Sequence, residues 1–388
     1  MDPSLEDVAR AGRASDRHLV MVVNTEAFFL SHRLPIATAA LSEGYRVTIM
    51  AMEEEGRGGE VRSHGLGFIP LPSTRGGRNP FNELKLLLFL LRQYSRLGPD
   101  VVHHVTVKPI LYGSIAARIA AVPRVINAVA GLGSIFIGAA GRLSPTYLIV
   151  IGLFRLSFGY DRIHALFQNE DDKRALSRHI ALPEDRMHII QGSGVDLEAF
   201  AYAPEPDDLP VTFVLAARII GDKGIREYAE AARTLRHRHG DAVRFLLAGK
   251  LDDQNVTGIP RAEVEAWVDA GDLEWLGHQS DMARLYREAN IVVLPSYREG
   301  LPKSLIEALA IGRPVVTTDV TGCRDVVDHG VNGLLVPARD SDALARAMET
   351  LIGDKALREA MGRRGRAKAV DLFSLENVVR RTLDLYED

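Results

Sequence analysis

Apolar runs of strand length alternate along this chain with segments of helical length and period. Residues 19–23, 45–51, 101–103 and 124–128 predict strands, and 32–43 and 109–121 predict helices between them. That alternation is the signature of repeated βαβ units and of a parallel sheet. After residue 195 the pattern restarts, with strand candidates at 211–216, 242–249, 273–276, 291–295, 314–318 and 333–337. A second α/β domain is therefore expected after the first. The stretch 192–210 carries two Gly, three Pro and a run of acids, which places the interdomain connection there. The expected division is an N-terminal domain at 1–195, a C-terminal domain at 196–370, and a tail at 371–388 holding a last helix at 374–386.

Two segments are more apolar than the rest, 84–91 (LKLLLFLL) and 147–158 (YLIVIGLFRLSF). Both fall short of the ~18 to 20 apolar residues that a spanning helix needs, so neither is expected to cross a bilayer. Each reads either as a core-facing helix or as a helix lying in a membrane interface. The core-facing reading is the ordinary one, and the basic neighbours Lys85, Arg92, Arg96, Arg142, Arg155 and Arg162 support the second.

Composition narrows the class. With 388 residues, 46% hydrophobic and 25% charged, the chain suits roughly two or three folded domains, which excludes a disordered chain and a disulfide scaffold. Cys323 is the single cysteine, so neither an intramolecular disulfide nor a Cys-cluster metal site can form, and a reducing, cytoplasmic setting is expected. Residues 1–17 are polar and lack the basic-then-apolar run of a signal peptide, so export is not expected.

The net charge of −4 conceals an asymmetry: residues 1–195 hold 22 Lys and Arg against 18 Asp and Glu, and residues 196–388 hold 25 against 33. Residues 61–162 carry 12 basic side chains and three carboxylates, Glu83, Asp100 and Asp161. Such a segment suits an anionic lipid surface or a phosphorylated ligand. Nucleic acid is not expected, because the basic residues are interleaved with Leu, Ile and Phe rather than set in a recognition motif.

The densest chemistry lies at 296–316, directly after the strand candidate at 291–295. Pro302 is placed to open a helix running to about residue 311. A loop-to-helix junction at a strand's carboxyl end is a ligand position in open α/β sheets. The N–H groups of Gly300, Leu301 and Lys303 there would face an anion, helped by the helix dipole. Glu299 falls in the loop and Glu307 eight positions later, about two turns into the helix. Two such carboxylates suit separate hydroxyl-rich parts of one ligand. A second element, residues 216–224, again follows a strand and sets Arg218 and Lys223 on one loop. A planar guanidinium and a mobile ammonium together suit a diphosphate. Asp340 and Asp342 form an Asp-x-Asp sequence, but they directly precede a helical run and read as a cap. No His, Asp or Glu grouping has metal spacing, and Gly131, Gly133 and Phe136 lie in an incomplete dinucleotide fingerprint.

Together these residues resemble the donor half of retaining glycosyltransferases of family 4, whose GT-B fold sets two Rossmann-like domains facing each other across a cleft. The likeness extends to Gly277-His278 followed by Asp281, and to 321–336. The resemblance implies that Glu299 contacts sugar hydroxyls of the donor, that Glu307 holds the ribose, and that Arg218 and Lys223 neutralise the nucleotide's phosphates. It adds Leu301, Pro302, Gly277 and His278 to the donor site and returns the last helix to the first domain. Residues 28–37, 103–113 and 127–133 resemble bacterial enzymes that extend polyprenyl-diphosphate-linked sugars with an N-acetylhexosamine. This chain differs from many of them in having Asn24-Thr25-Glu26-Ala27 where a Gly-Gly pair is usual, and His103-His104-Val105 in place of His-x-His. His103 is thus a candidate for catalysis and equally for a structural histidine, and Lys108, Arg92, Arg142 and Arg155 are candidates for the acceptor or the membrane.

The implied enzyme is a retaining, metal-independent hexosyltransferase without a cofactor, with a UDP-sugar as donor and a lipid-linked saccharide as acceptor, peripheral on the inner face of the cell membrane. The alternatives are a GT-B nucleotide-sugar 2-epimerase, which needs no acceptor, and a nucleotide-sugar-binding module without turnover.

Overall fold

The computed structural model describes residues 17–72, 80–130, 145–206, 210–253 and 255–387. The chain divides into two compact units, one of residues up to Ile190 together with Val378 onward, the other of Gln191–Asn377.

The first unit is built on a seven-stranded sheet: β1 (His18–Thr25), β2 (Arg46–Met52), β3 (Gly67–Pro70), β4 (Val101–Val105), β5 (Arg124–Val129), β6 (Ile163–Phe167) and β7 (Met187–Ile189). Their order is β3-β2-β1-β4-β5-β6-β7, and every recorded pairing is parallel. The order reverses between β1 and β4, in register Met21 opposite His103. All four strands read from the sequence are present. The three others are short or mixed in pattern: β3 ends in proline, β7 is three residues long, and β6 carries His164 as its second residue.

Both faces of this sheet are covered, as a parallel sheet requires. On one face the helices Pro80–Leu97 and Pro145–Phe158 bury Leu86, Leu90, Tyr94, Ile151, Phe154 and Phe158. On the other, the helices Glu26–His32, Leu34–Ser42 and Leu375–Glu387 contribute Phe29, Ile36, Ala37, Val378, Leu385 and Tyr386. The helix expected over 32–43 is present as Leu34–Ser42, with Arg33 dividing it from a separate helix, Glu26–His32, that precedes it; the one expected over 109–121 opens as a π turn (Pro109–Gly113) before Ser114–Ile119. Gly113 makes that turn possible, since a Cβ there would lie 2.3 Å from His104 Nε2.

The second unit repeats the architecture with β8 (Val211–Ala216), β9 (Val243–Ala248), β10 (Glu274–Gly277), β11 (Ile291–Leu294), β12 (Val315–Thr318) and β13 (Gly333–Val336), in the order β10-β9-β8-β11-β12-β13. All six match strands read from the sequence, and every pairing is again parallel. Both units are therefore Rossmann-like. Of the stretch 192–210, expected as the interdomain connection, residues 192–206 are tied into this unit. The fully buried Arg313 donates to the carbonyls of Ala203, Pro204, Tyr286 and Arg287, and Arg358 pairs with Glu205 at 2.6 Å.

Candidate active site

In the second sheet the strand order reverses between β8 and β11, and a crevice beyond the carboxyl ends of the strands is the ligand position of such sheets. The loop after β8 closes in a short 3-10 turn, Gly221–Lys223, and Gly224 then takes the left-handed conformation (φ 69°) to open the helix Ile225–His239. A side chain at Gly224 would place its Cβ 2.0 Å from the Pro295 carbonyl oxygen. Glycine is therefore demanded twice, by dihedral and by space. It lets the β8 loop pack against the β11 loop, where the Tyr297 N–H donates to the Asp222 carbonyl at 2.9 Å.

That packing brings Lys223 and Glu299 together: Lys223 Nζ donates to Glu299 Oε1. Ser296 Oγ donates to the same carboxylate oxygen at 2.7 Å. The β12 loop supports Glu299 from behind, with its N–H on the Thr321 carbonyl at 3.1 Å and the Cα of Gly322 against its backbone. Thr318 Oγ1 donates to the Ser296 carbonyl. Arg218, from the same β8 loop as Lys223, is paired with Asp252 at 2.7 Å. Asp252 lies in the loop after β9 and carried no role in the sequence reading; nothing in its local sequence marks it as a partner for a residue 34 positions away.

Glu307 lies on the helix Lys303–Ile311, with Pro302 as its N-cap rather than inside its first turn. It is the fifth residue of that helix, one turn in and not two as the spacing from Glu299 implied. Burial pushes its carboxyl up to about 7, against the opposing pull of Lys303, whose ammonium stands 3.5 Å away. Pro302 makes no side-chain cap bond at the start of this helix, an end that carries partial positive charge. Leu301 is buried, while Gly300 and Lys303 are partly exposed. Gly277 ends β10 in the left-handed conformation (φ 65°), its carbonyl accepting from the Gly249 N–H at 2.7 Å, with the exposed His278 next in chain. The structure thus sets the donor-side candidates on loops at the carboxyl ends of β8, β10 and β11. Asp340 caps the helix Ser341–Gly353 through the Ala343 N–H at 2.8 Å, as expected.

The first-unit candidates are scattered. His103 is fully buried, with Nδ1 2.6 Å from the Tyr386 hydroxyl, and burial together with the charge of Arg33 holds its imidazole well below the usual histidine range. It has no exposed face, and its Nε2 is buried without a hydrogen-bond partner. His104 faces the opposite core, between Tyr94 (2.9 Å) and Asn127 (2.8 Å), and burial pushes it down to about 4. Lys108 pairs with Glu83 at 2.8 Å. Arg92 is exposed, and Arg155 donates to the His179 carbonyl at 3.1 Å. Arg142 and the Gly131–Phe136 stretch lie outside the described residues. In the Asn24–Ala27 segment, Glu26 takes the place of a close backbone approach. Burial pushes its carboxyl up, but the N–H groups of Glu54 (3.0 Å) and Glu55 (2.6 Å) outweigh that and hold it below its ordinary value. Among the described residues no group of three His, Cys, Asp or Glu is placed to hold a metal ion.

Residues 210–354 match the family described as Glycosyl transferases group 1, and residues 18–153 match Glycosyl transferase 4-like. The chain belongs to the family-4 glycosyltransferases of GT-B fold. It is 27% identical, over 92% of its own length and 97% of the relative's, to the N,N'-diacetylbacillosaminyl-diphospho-undecaprenol alpha-1,3-N-acetylgalactosaminyltransferase of Campylobacter jejuni. It is 26% identical, over 79% of this chain and 80% of the other, to the UDP-Gal:alpha-D-GlcNAc-diphosphoundecaprenol alpha-1,3-galactosyltransferase of Escherichia coli. A solved glycosyltransferase from Rickettsia africae shares the fold at TM-score 0.77, covering 96% of this chain and 98% of that one at 18% identity.

Proposed function

We propose that this chain transfers a sugar, an N-acetylhexosamine, from a UDP-linked donor to a saccharide carried on a polyprenyl diphosphate, retaining the anomeric configuration and using no metal ion. The observation that carries the reading is the meeting of Lys223 and Glu299 at the switch point of the second sheet. It joins a cation suited to a diphosphate with a carboxylate suited to sugar hydroxyls. In the reaction the bond from the anomeric carbon to the diphosphate breaks, the acceptor oxygen bonds to that carbon, and the acceptor proton leaves with the diphosphate. Charge grows on the departing group, so fixed positive charge near it lowers the barrier. Lys223, Arg218 and the start of the Lys303–Ile311 helix supply that charge, and Glu307 holds the ribose. The acceptor class follows the printed activities of the Campylobacter and Escherichia relatives.

We place the protein on an anionic leaflet at the cytoplasmic face of the membrane. Among the described residues no helix is long and apolar enough to cross one. The helices Pro80–Leu97 and Pro145–Phe158 bury one apolar stripe and expose another, Phe81 (79%), Leu88 (56%) and Ile149 (63%) among them, beside Lys85, Arg92 and Arg155. Each of the two readings of these segments thus accounts for one face.

A screen of nucleotide sugars for nucleoside diphosphate release, in excess EDTA and with and without a polyprenyl-diphosphate saccharide, tests the proposal. Acceptor-dependent release from a UDP-sugar is the expected result. Sugar interconversion without acceptor would make the chain an epimerase, and tight binding without release would make it a binding module.

A further inference from the structure

Three contacts from different parts of the second unit converge on Tyr297, the third residue beyond β11. Its N–H donates to the Asp222 carbonyl at 2.9 Å. Its hydroxyl donates to Glu227 Oε1 at 2.6 Å, on the helix that follows the β8 loop. The Arg339 guanidinium, from the loop after β13, lies over its ring 4.5 Å from the centroid. Arg339 holds φ at 62°, a conformation that costs a residue with a side chain, so surrounding contacts must maintain it. Burial and the Glu227 bond push the Tyr297 hydroxyl up to about 12, which keeps it a proton donor at neutral pH. The second oxygen of Glu227, Oε2, is buried without a hydrogen-bond partner, so the tyrosine supplies the neutral donor that this carboxylate does have.

Lys223 follows Asp222 in the chain, and Glu299 lies two residues beyond Tyr297. Tyr297 therefore ties the loop of Glu299 to the loop of Lys223 through its N–H, and to the first turn of the helix that follows that loop through its hydroxyl. We infer that Tyr297 is a positioning residue: it sets the separation of the Lys223 and Glu299 loops, and with it the register of the two ends of the donor. What the loops hold rests on the nucleotide-sugar reading, whereas how they are held rests on the contacts above. A reacting centre between two such loops is sensitive to small errors, because a displacement of about 1 Å costs on the order of a hundredfold in rate.

The test is Tyr297→Phe, which keeps the ring, the Arg339 contact and the backbone bond and removes only the hydroxyl. In the unliganded protein, amide hydrogen exchange in residues 218–224 and 296–301 becomes about fivefold faster, the loss of one hydrogen bond, while β8 and β11 are unchanged. In turnover, kcat falls about tenfold with donor KM within about twofold, the mark of lost alignment rather than lost binding. Glu227→Ala, which removes the acceptor of that hydroxyl, reproduces both effects, and the double variant is no worse than either single one. Should Tyr297→Phe fail to fold, Glu227→Ala carries the same measurements. Unchanged exchange in both loops overturns the inference, as do additive kinetic losses or a kcat loss that only tracks the unfolded fraction. Failure of the functional reading looks different: the wild type turns over no nucleotide sugar, while the exchange comparison on the free protein still decides the role of Tyr297.

Discussion

Lys223 and Glu299, 76 positions apart in sequence, share a direct contact from Nζ to Oε1. The ammonium neutralises a carboxylate that is only 13% exposed, and the carboxylate holds a flexible lysine over the crevice. On the proposed reading, a donor diphosphate would compete for the same ammonium, which would link donor binding to the freedom of Glu299.

Replacing Lys223 or Arg218 by Ala is expected to lower kcat by ~10²-fold, with a smaller rise in donor KM, because their charge meets negative charge that grows during reaction. Steady-state kinetics on folded variants check this. Wild-type turnover in both would remove these residues from the reaction.

Glu307 makes the unliganded protein's stability depend on pH. Burial, the largest influence, raises its carboxyl to about 7 in the folded chain, above the ordinary glutamate value. A raised carboxyl favours folding fully below the unfolded value, and that contribution is lost as pH rises through about 7. Glu307→Gln should therefore gain thermal stability relative to wild type between pH 5 and pH 8, by about 1–3 kcal/mol. Calorimetry at the two pH values gives the difference, and a pH-independent offset would contradict the buried-carboxylate account. The variant should also weaken UDP binding in titration calorimetry.

Two glycines with similar dihedrals should respond differently to alanine. Gly224 (φ 69°) would drive a Cβ to 2.0 Å from the Pro295 oxygen, whereas Gly277 (φ 65°) has nothing within 4 Å. Gly277→Ala is expected to cost only the left-handed conformation, about 1–2 kcal/mol. Gly224→Ala must also separate the β8 and β11 loops, so UDP binding should be lost along with more stability. Equal melting temperatures and equal affinities for the two variants would show that the loops are not held as described.

The wild type should co-sediment with vesicles of anionic lipid at low salt and release as salt rises, since exposed charges are screened over about 10 Å at 0.1 M. Reversing Arg92 and Arg155 together should weaken this binding, each basic residue near the surface being worth about 1 kcal/mol. Activity on a long-chain lipid acceptor should fall while a short soluble analogue is spared. Equal losses on both acceptors would leave these helices without a membrane role.

Hydropathic period alone determined the two α/β halves, because a strand buried on both faces must be apolar throughout and its helices must carry one apolar stripe. All six strands of the second sheet were legible for that reason, and so was the Glu299 to Glu307 stretch, whose local order of loop, proline and helix is written in consecutive residues. The contacts that join residues far apart were decided by the tertiary structure. Nothing near Asp252 announces Arg218, and nothing near Tyr297 announces Glu227 or Arg339, because those partners lie on different loops and a helix start brought to one end of the sheet by strand order. Burial is likewise a property of the packed chain. His103 reads as a candidate for chemistry in sequence, and only the Tyr386 helix laid over its face of the sheet makes it a core residue. Arg313, embedded in the most recognisable motif of the chain, points inward to four carbonyls and anchors the 191–206 segment. Sequence spacing specifies which residues share a loop, but a carboxylate's partner and its pKa depend on the low-dielectric surroundings that only the folded chain creates.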